Sequence, residues 1–314
     1  MAAKALVLFG LAGALCAAPL ALGSYQLYLA QLMMINTIAA IGLNLLTGNC
    51  GQISLCHSSF MAIGAYTGAL LVLRAGLSFV PALAIGTLAA ALLGACLGYP
   101  ARRLSGLYLA LVTLGFLQLV QILIEEFPEL TGGVRGLSVP KPQILGYTIR
   151  SDFGLYYLLL GVAVLALLLA RNLQRSRFGR AFNAVRQSTF AAQALGIPLG
   201  RTKLLAFTVA AGFAGLAGGL MAVTVGFMDP TEFGISTSLR QITFIVVGGL
   251  GSVIGSVLGA VLLTGLPEFL RGTQEYADLV YGVILLGSLL FMPRGLKGLF
   301  DDIWDLRARR TVTS

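Results

Sequence analysis

Charged side chains are scarce in this 314-residue chain. They fill 11% of positions, against about a quarter in soluble domains, while 57% of residues are apolar and the mean hydropathy is +0.90. That balance excludes an ordinary soluble enzyme. Histidine occurs once, as His57, and cysteine four times, at Cys16, Cys50, Cys56 and Cys96. These are too few ligands for a Cys/His metal cluster, and their spacing forms no disulfide framework. No metal site is expected, and the cysteines should sit reduced in apolar surroundings. A G-x-x-x-x-G-K-[ST] phosphate loop is missing, as is any constellation of acid, base and nucleophile, so neither catalysis nor a bound cofactor is expected. Proline stops at 10, and the 40 glycines follow no G-X-Y period, which excludes collagen-like and linker proteins.

What is present is a series of apolar runs. A helix crosses a bilayer core of about 30 Å with about 20 mostly apolar residues, because its backbone groups must bond within the segment. Such runs occupy Ala5 to Leu22, Leu27 to Leu46, Ser54 to Leu73, Phe79 to Leu97, Tyr108 to Ile124, Leu155 to Ala170, Leu204 to Val225 and Leu279 to Phe291. The first run, between Lys4 and Ala21-Leu22-Gly23, also has the form of a cleavable leader; among so many hydrophobic segments it is read as a retained crossing. A further run, Leu239 to Leu266, is broken by Gly248, Gly249, Gly251 and Ser252 and fits one long crossing or two short ones.

Basic residues decide between the two, since cytoplasmic loops retain an excess of Lys and Arg. Two short segments give about ten crossings with both termini inside. The inner set then carries 15 basic and 3 acidic residues and the outer set 6 and 9. A single crossing would strand Arg294, Lys297, Arg307, Arg309 and Arg310 outside. The net charge of +9 is therefore a topology signal, not a mark of nucleic-acid binding. The expectation is an all-α polytopic bundle, one membrane domain over residues 1–314. It would have an external loop at 125–154, an arginine-rich inner loop at 171–203 and a cytoplasmic tail at 292–314.

Small residues four apart let helices approach closely in lipid. Gly64 and Gly68, Gly94 and Gly98, Gly215 and Gly219, and Gly251, Gly255 and Gly259 form such ladders, as compaction or, around Gly248 to Gly259, as a sliding interface. With Arg240 counted at the outer mouth of its run, no Asp, Glu, Lys or Arg falls inside a proposed crossing. Proton relays and ion pathways use such groups, so their scarcity argues against a proton-coupled carrier and weakens, without excluding, a sodium-coupled one. Energy for active transport would then enter through another protein.

The inner loop holds seven basic residues and no acid between Arg171 and Lys203. Phe178, Ala181, Phe182, Val185, Ala192 and Leu195 recur at helical spacing, with Gly196 and Pro198 as a stop signal. Three readings fit: charge that only sets orientation, a helix on anionic lipid headgroups, or a short helix that fits a groove on a cytoplasmic partner.

Gly179, Arg180, Ala181, Ala184, Val185, Arg186, Ala191, Ala192, Gly196 and Ile197 match the G-R-A-x-x-A-[IV]-R-x-x-x-x-A-A-x-x-x-G-I pattern of ABC-importer coupling segments. Gln187, Ser188 and Thr189 stand where that pattern usually carries an acid. Asn44 to Gly48, Gly51 to Phe60 and Gly64-Ala65-Tyr66 match a second block, with Cys56 in place of its usual glycine. Leu130 to Gly133 with Gly136-Leu137, Gly248 to Ser252 with Gly255, Gly259 and Ala260, and Pro293 to Leu296 match others. In this order and spacing the chain resembles the LivM type of membrane subunit in branched-chain amino acid ABC importers.

That resemblance implies a type II importer build in a bacterial inner membrane. It implies a homologous second permease subunit, a periplasmic substrate-binding protein and two cytoplasmic ATPases that use ATP and Mg. Relatives of similar build carry urea, amides, other amino acids or sugars. Gly179, Arg180, Ala181, Phe182, Val185, Arg186, Ala192, Leu195 and Gly196 would couple to the ATPases. Gln52, Ser54 and His57 would line or gate the path, with a purely structural His57 as the competing reading. Asn36 and Asn44, eight apart and so on one face of their helix, and Gln118 and Gln121, three apart, fit either the path or interhelical hydrogen bonds. Glu125 to Asp152 offers a surface for a delivery protein or a plain connector.

Overall fold

The structure is a computed structural model and describes residues 16–144, 147–149, 151–269, 279–280, 282–284, 286–287 and 295–298. Residues 5–15 of the first apolar run and 281, 285 and 288–291 of the last lie outside the described residues. Among the described residues, six helices are long and apolar enough to cross a membrane. They are α1 (Ser24–Leu43, prolonged by a π-helical turn at Asn44–Asn49), α2 (His57–Ala75), α3 (Phe79–Ala101), α4 (Leu107–Glu126), α5 (Asp152–Arg175) and α8 (Leu199–Val225). Two short helices, α6 (Arg177–Gln187) and α7 (Thr189–Ala194), lie between α5 and α8.

The broken run forms two helices, α9 (Ile235–Gly248) and α10 (Val253–Phe269). Their turn holds Gly249 at φ 123° and Gly251 at φ 85°, conformations that a Cβ disfavours. The arms run antiparallel and nearly touch: a Cβ added at Gly255 would come within 2.6 Å of the Gly248 carbonyl oxygen, and one at Gly259 would overlap the Phe244 carbonyl. The small-residue ladder is thus Gly248, Gly255 and Gly259. Gly251, expected on that helical face, belongs to the turn. At 1.5 Å per residue each arm is shorter than the ~30 Å core.

The centre of the bundle is α1 and α8, packed against α2 and α3. Small residues set the spacing. A Cβ at Gly86 would come within 2.6 Å of the Gly64 carbonyl oxygen, one at Gly64 would overlap the Gly215 backbone, and one at Gly219 would reach Leu83 Cδ1 at 2.5 Å. By contrast α3, α4 and α5 turn Leu92, Leu111, Leu119 and Leu165 outward, as lipid-facing helices require.

The connector between α4 and α5, expected over 125–154, runs from 127 to 151, because α4 and α5 are longer than their apolar runs. It is folded, not loose. Leu137–Ser138 pairs antiparallel with Phe227–Met228, and Gln143–Ile144 with Tyr147–Thr148. Arg74 donates from α2 to the Glu129 carbonyl.

Candidate translocation site and coupling junction

Residues 51–56 are not helical, and they re-enter the bundle. Gly51, at φ 72°, starts beside Arg186, since a Cβ there would lie 3.4 Å from Arg186 Cα. The chain then runs inward until Leu55 N–H donates to Thr113 Oγ1 of α4 at 3.0 Å and His57 meets the Ala39 carbonyl of α1 at 2.9 Å. Ala39 lies ten residues before Asn49, about 15 Å along the helix. The N-terminus of α2 therefore sits deep in the bundle. Because a carbonyl can only accept, His57 donates from Nε2, which leaves Nδ1 as a bare acceptor; it is buried without a partner.

A second helix start meets the first at this depth. Ser58 donates to the Gly234 carbonyl at 3.0 Å, its N–H reaches Ser238 Oγ at 3.2 Å, and the two hydroxyls lie 2.7 Å apart. Gln52 bonds the Cys50 carbonyl at 3.4 Å and leaves Oε1 without a partner, Ser54 sits 3.3 Å from Cys56 Sγ, and Ser59 Oγ is also buried and unpartnered. Gln52, Ser54 and His57 thus share one buried strand of backbone. Gln121 joins this neighbourhood, its Oε1 being 3.9 Å from where a Cβ on Gly234 would stand. Gln118 is exposed on α4.

Asn44 does a different job. Its Nδ2 donates to Ser256 Oγ at 2.6 Å and to the Ser252 carbonyl at 2.9 Å, and its Oδ1 accepts from Gly251 N at 2.8 Å. Asn36, two turns earlier on the same face, donates to Thr264 at 3.0 Å. Both amides tie α1 to α10, the interhelical reading of their spacing. The π-helical turn aims Asn44 and Asn49 at the α9–α10 turn, and Gly48 makes room, since a Cβ there would overlap Asn44 Oδ1 and Gly251 N.

The arginine-rich segment docks onto that same junction. Arg186 of α6 donates to the Gly48 carbonyl, Asn49 donates to Asn183 Oδ1 at 3.3 Å, and Gln174 bridges Asn49 Oδ1 at 2.9 Å and the Gly251 carbonyl at 3.3 Å. Four elements, α1, α5, α6 and the α9–α10 turn, therefore meet in one polar junction. Gln174, Asn183 and Asn49 were missed by sequence reasoning, because isolated amides carry no periodic signal.

The expected single amphipathic helix is two helices. The break falls at Ser188, whose Oγ accepts from Ala191 N at 3.2 Å and caps α7; Ser176 caps α6 in the same way through Phe178 N. Such serine caps favour a new helix start over continuation. The apolar residues also divide. Gly179, Phe182, Val185 and Ala192 are buried; Phe182, Val185 and Ala192 pack in a cluster with Leu46, Ala101, Leu109 and Phe207, with Ala184 against its edge. Phe178, Phe190 and Leu195 face outward, the last two 83% and 79% exposed. Phe178 and Leu195 thus do not share the buried stripe. Ala181 is half-buried, Arg180 is exposed with Nη1 on the Arg175 carbonyl at 3.1 Å, and Gly196, at φ 77°, ends α7 as its position suggested.

The matching family model, described as a branched-chain amino acid transport system permease component, spans residues 25–289. The chain belongs to this permease family. It is 39% identical over 292 residues to the high-affinity branched-chain amino acid transport system permease protein LivM of Escherichia coli K12, covering 85% of this chain and 69% of that one. It is 26% identical to the corresponding LivH of Salmonella typhimurium (83% and 90%), and 31% identical to the autoinducer 2 import permease LsrC of Salmonella paratyphi B (88% and 82%). A solved structure, PsaBC from Streptococcus pneumoniae in complex with Fab, aligns at 16% identity with a TM-score of 0.49, over 87% of this chain and 93% of that one. The permease is a multi-pass transporter subunit, and its relatives are permease components of transport systems.

The interior of the permease is less bare of charge than its sequence implies. Arg240 is the sixth residue of α9, inside the helix and not at its mouth. Lys203, in the first turns of α8, is buried and donates to the Leu104 carbonyl at 3.2 Å. Both helices begin earlier than the apolar run does. Cys50 and Cys56 are buried as expected, whereas Cys16 and Cys96 are exposed. Burial pushes the Cys50 thiol up to about 12.

Proposed function

We propose that this chain is one of two homologous membrane subunits of an ATP-driven importer of branched-chain amino acids in a bacterial inner membrane. A periplasmic binding protein would deliver substrate, and two cytoplasmic ATPases, using ATP and Mg, would drive the cycle. The observation that carries this reading is the polar junction: α6, with exposed Phe190 and Leu195 next to it, is bonded through Arg186 and Asn183 to Gly48 and Asn49 of the π-helical turn, which holds Gly251 of the α9–α10 turn through Asn44 and Asn49.

In this reading the ATPases grip the outward face of α6 and α7. Their closure shifts α6, and the junction passes the shift to the hairpin, whose glycine contact lets one arm slide on the other. The far end of α9 holds Ser238 against Ser58, so movement of α9 opens or closes the chain beside His57, Gln52 and Ser54. This is alternating access by a packed element with two arrangements. The Gly179, Phe182, Val185 and Ala192 side fixes the coupling helices to the bundle, and the Arg180, Phe190 and Leu195 side meets the partner. Cytoplasmic placement of the tail is supported by Gly295, whose added Cβ would stand 2.6 Å from Gly249 at the same junction. The folded external connector suits a docking surface for the binding protein.

The test is co-purification of the permease with ATPases, together with uptake of labelled leucine, urea and ribose in a strain lacking the chain. Leucine uptake that needs the chain and stops when ATP hydrolysis is blocked is the expected result. Restoration of urea or ribose uptake alone would refute the substrate assignment.

A further inference from the structure

At the level of the Ser58–Ser238 contact, α1, α9 and α10, with Met61 of α2 and Met221 of α8, line an open-mouthed cavity of about 230 Å³ that the coupling junction does not use. Ligand pockets begin at about 300 Å³ for drug-sized molecules, so this one suits a single small solute. Its walls differ in chemistry. On one side Arg240 reaches in from α9; among the described residues its only hydrogen bond is from Nη2 to Thr237 Oγ1 at 2.7 Å. Gln241 beside it is 1% exposed, and its Nε2 is bonded only to the Met61 sulfur while Oε1 has no partner. Glu232 stands at the rim. Its outer surface is open to solvent, yet its surroundings are crowded enough for burial to raise its carboxyl above the ordinary value, with Asp229 adding to the rise and Arg240 opposing it. The rest of the wall carries Asn36 and Thr264, bonded to each other, and an apolar part that is chiefly Ile35, Met61 and Phe244.

A guanidinium within a membrane helix is costly, and such groups mark substrate or ion pathways. Its planar fork matches a carboxylate. A neighbouring carboxylate and a bare amide oxygen are acceptors for an ammonium, and a branched aliphatic group belongs on the apolar wall. We propose that this cavity is a binding station for one zwitterionic α-amino acid. Its carboxylate sits on Arg240, its ammonium faces Glu232 and Gln241 Oε1, and its side chain lies against Ile35, Met61 and Phe244. The inference rests on the importer reading above and adds the site within this chain that recognises the substrate. Because Arg240 and Gln241 lie on α9, movement of the hairpin would remake or break the station.

The complete transporter, with its ATPases and binding protein, is reconstituted and photolysed with a diazirine analogue of leucine. Labelling is expected on peptides containing Met61 or Phe244, competed by leucine but not by isovalerate or isoamylamine, each of which lacks one of the two charges. Arg240→Gln should lower labelling about tenfold or more, the scale of a lost charge-assisted hydrogen bond, and Arg240→Lys should lower it less. Glu232→Gln should weaken competition by leucine. Equal recovery of assembled complex for all variants separates this effect from misfolding. Leucine transport by the wild type with label outside the cavity, or with equal labelling of the Arg240→Gln and Arg240→Lys variants, overturns the station and leaves the importer reading intact. A wild-type complex that neither transports nor takes up label from leucine overturns both.

Discussion

Replacing Asn44 with alanine should loosen the α9–α10 hairpin from α1. The side chain donates to Ser256 and Ser252, which are buried, and accepts from the N–H of half-buried Gly251. Interhelical hydrogen bonds in membranes average about 0.6 kcal/mol each and reach about 1.7. A donor left without a partner, here Gly251 N–H, adds about 1–3 kcal/mol. The expected cost is therefore about 2–4 kcal/mol, falling on the hairpin and not on the whole bundle. An apparent melting temperature of the purified complex lower by roughly 5 °C, with faster maleimide labelling of a cysteine placed at Ser252, would show it. Asn44→Asp, which keeps the acceptor for Gly251 N–H and loses the donors, should fall between. An Asn44→Ala permease with unchanged melting and labelling but abolished uptake would refute the clamp and return Asn44 to the translocation path.

Phe182 and Phe190 make a second contrast. Phe182→Ala empties a buried site and should destabilise the permease by about 3–5 kcal/mol, read by thermal unfolding, whereas Phe190→Ala should change stability by less than about 0.5 kcal/mol yet reduce co-purification with ATPases. Ser58→Ala and Ser238→Ala should be non-additive in a double-mutant cycle, with a coupling of about 0.6–1.7 kcal/mol in thermal unfolding. Cys50, buried with its thiol pushed up to about 12, holds almost no thiolate at pH 7–8 and should resist maleimide until the permease is unfolded.

Much of this arrangement was legible in the residues. Apolar runs located six long helices, because a bilayer demands that backbone groups be satisfied within each segment. Glycines and a charge imbalance resolved Leu239 to Leu266 into two short helices, and the Asn36–Asn44 spacing pointed to one interhelical face. What escaped was set by contacts between distant residues. The π-helical turn at Asn44–Asn49 exists beside Gly251, some two hundred positions away. The break at Ser188 overrides a continuous three-to-four apolar pattern, because a serine cap and the buried Ala192 favour a fresh start. Arg240 looked like a mouth residue because hydropathy locates apolar runs, whereas α9 begins at Ile235 in the deep contact with Ser58. Of the candidate path residues, Gln52, Ser54 and His57 come together because they share one re-entrant segment; Gln118 shows that spacing on a lipid-facing helix does not fix which side it presents.

Mechanical delivery of work to this permease, through α6 and its junction with the hairpin, is the core of the proposed function. Its most direct test is leucine accumulation in proteoliposomes holding the two permease subunits with binding protein, with and without the ATPases, under imposed proton and sodium gradients. The account predicts accumulation only when the ATPases are present and hydrolysing ATP. Accumulation driven by either ion gradient in their absence would contradict it.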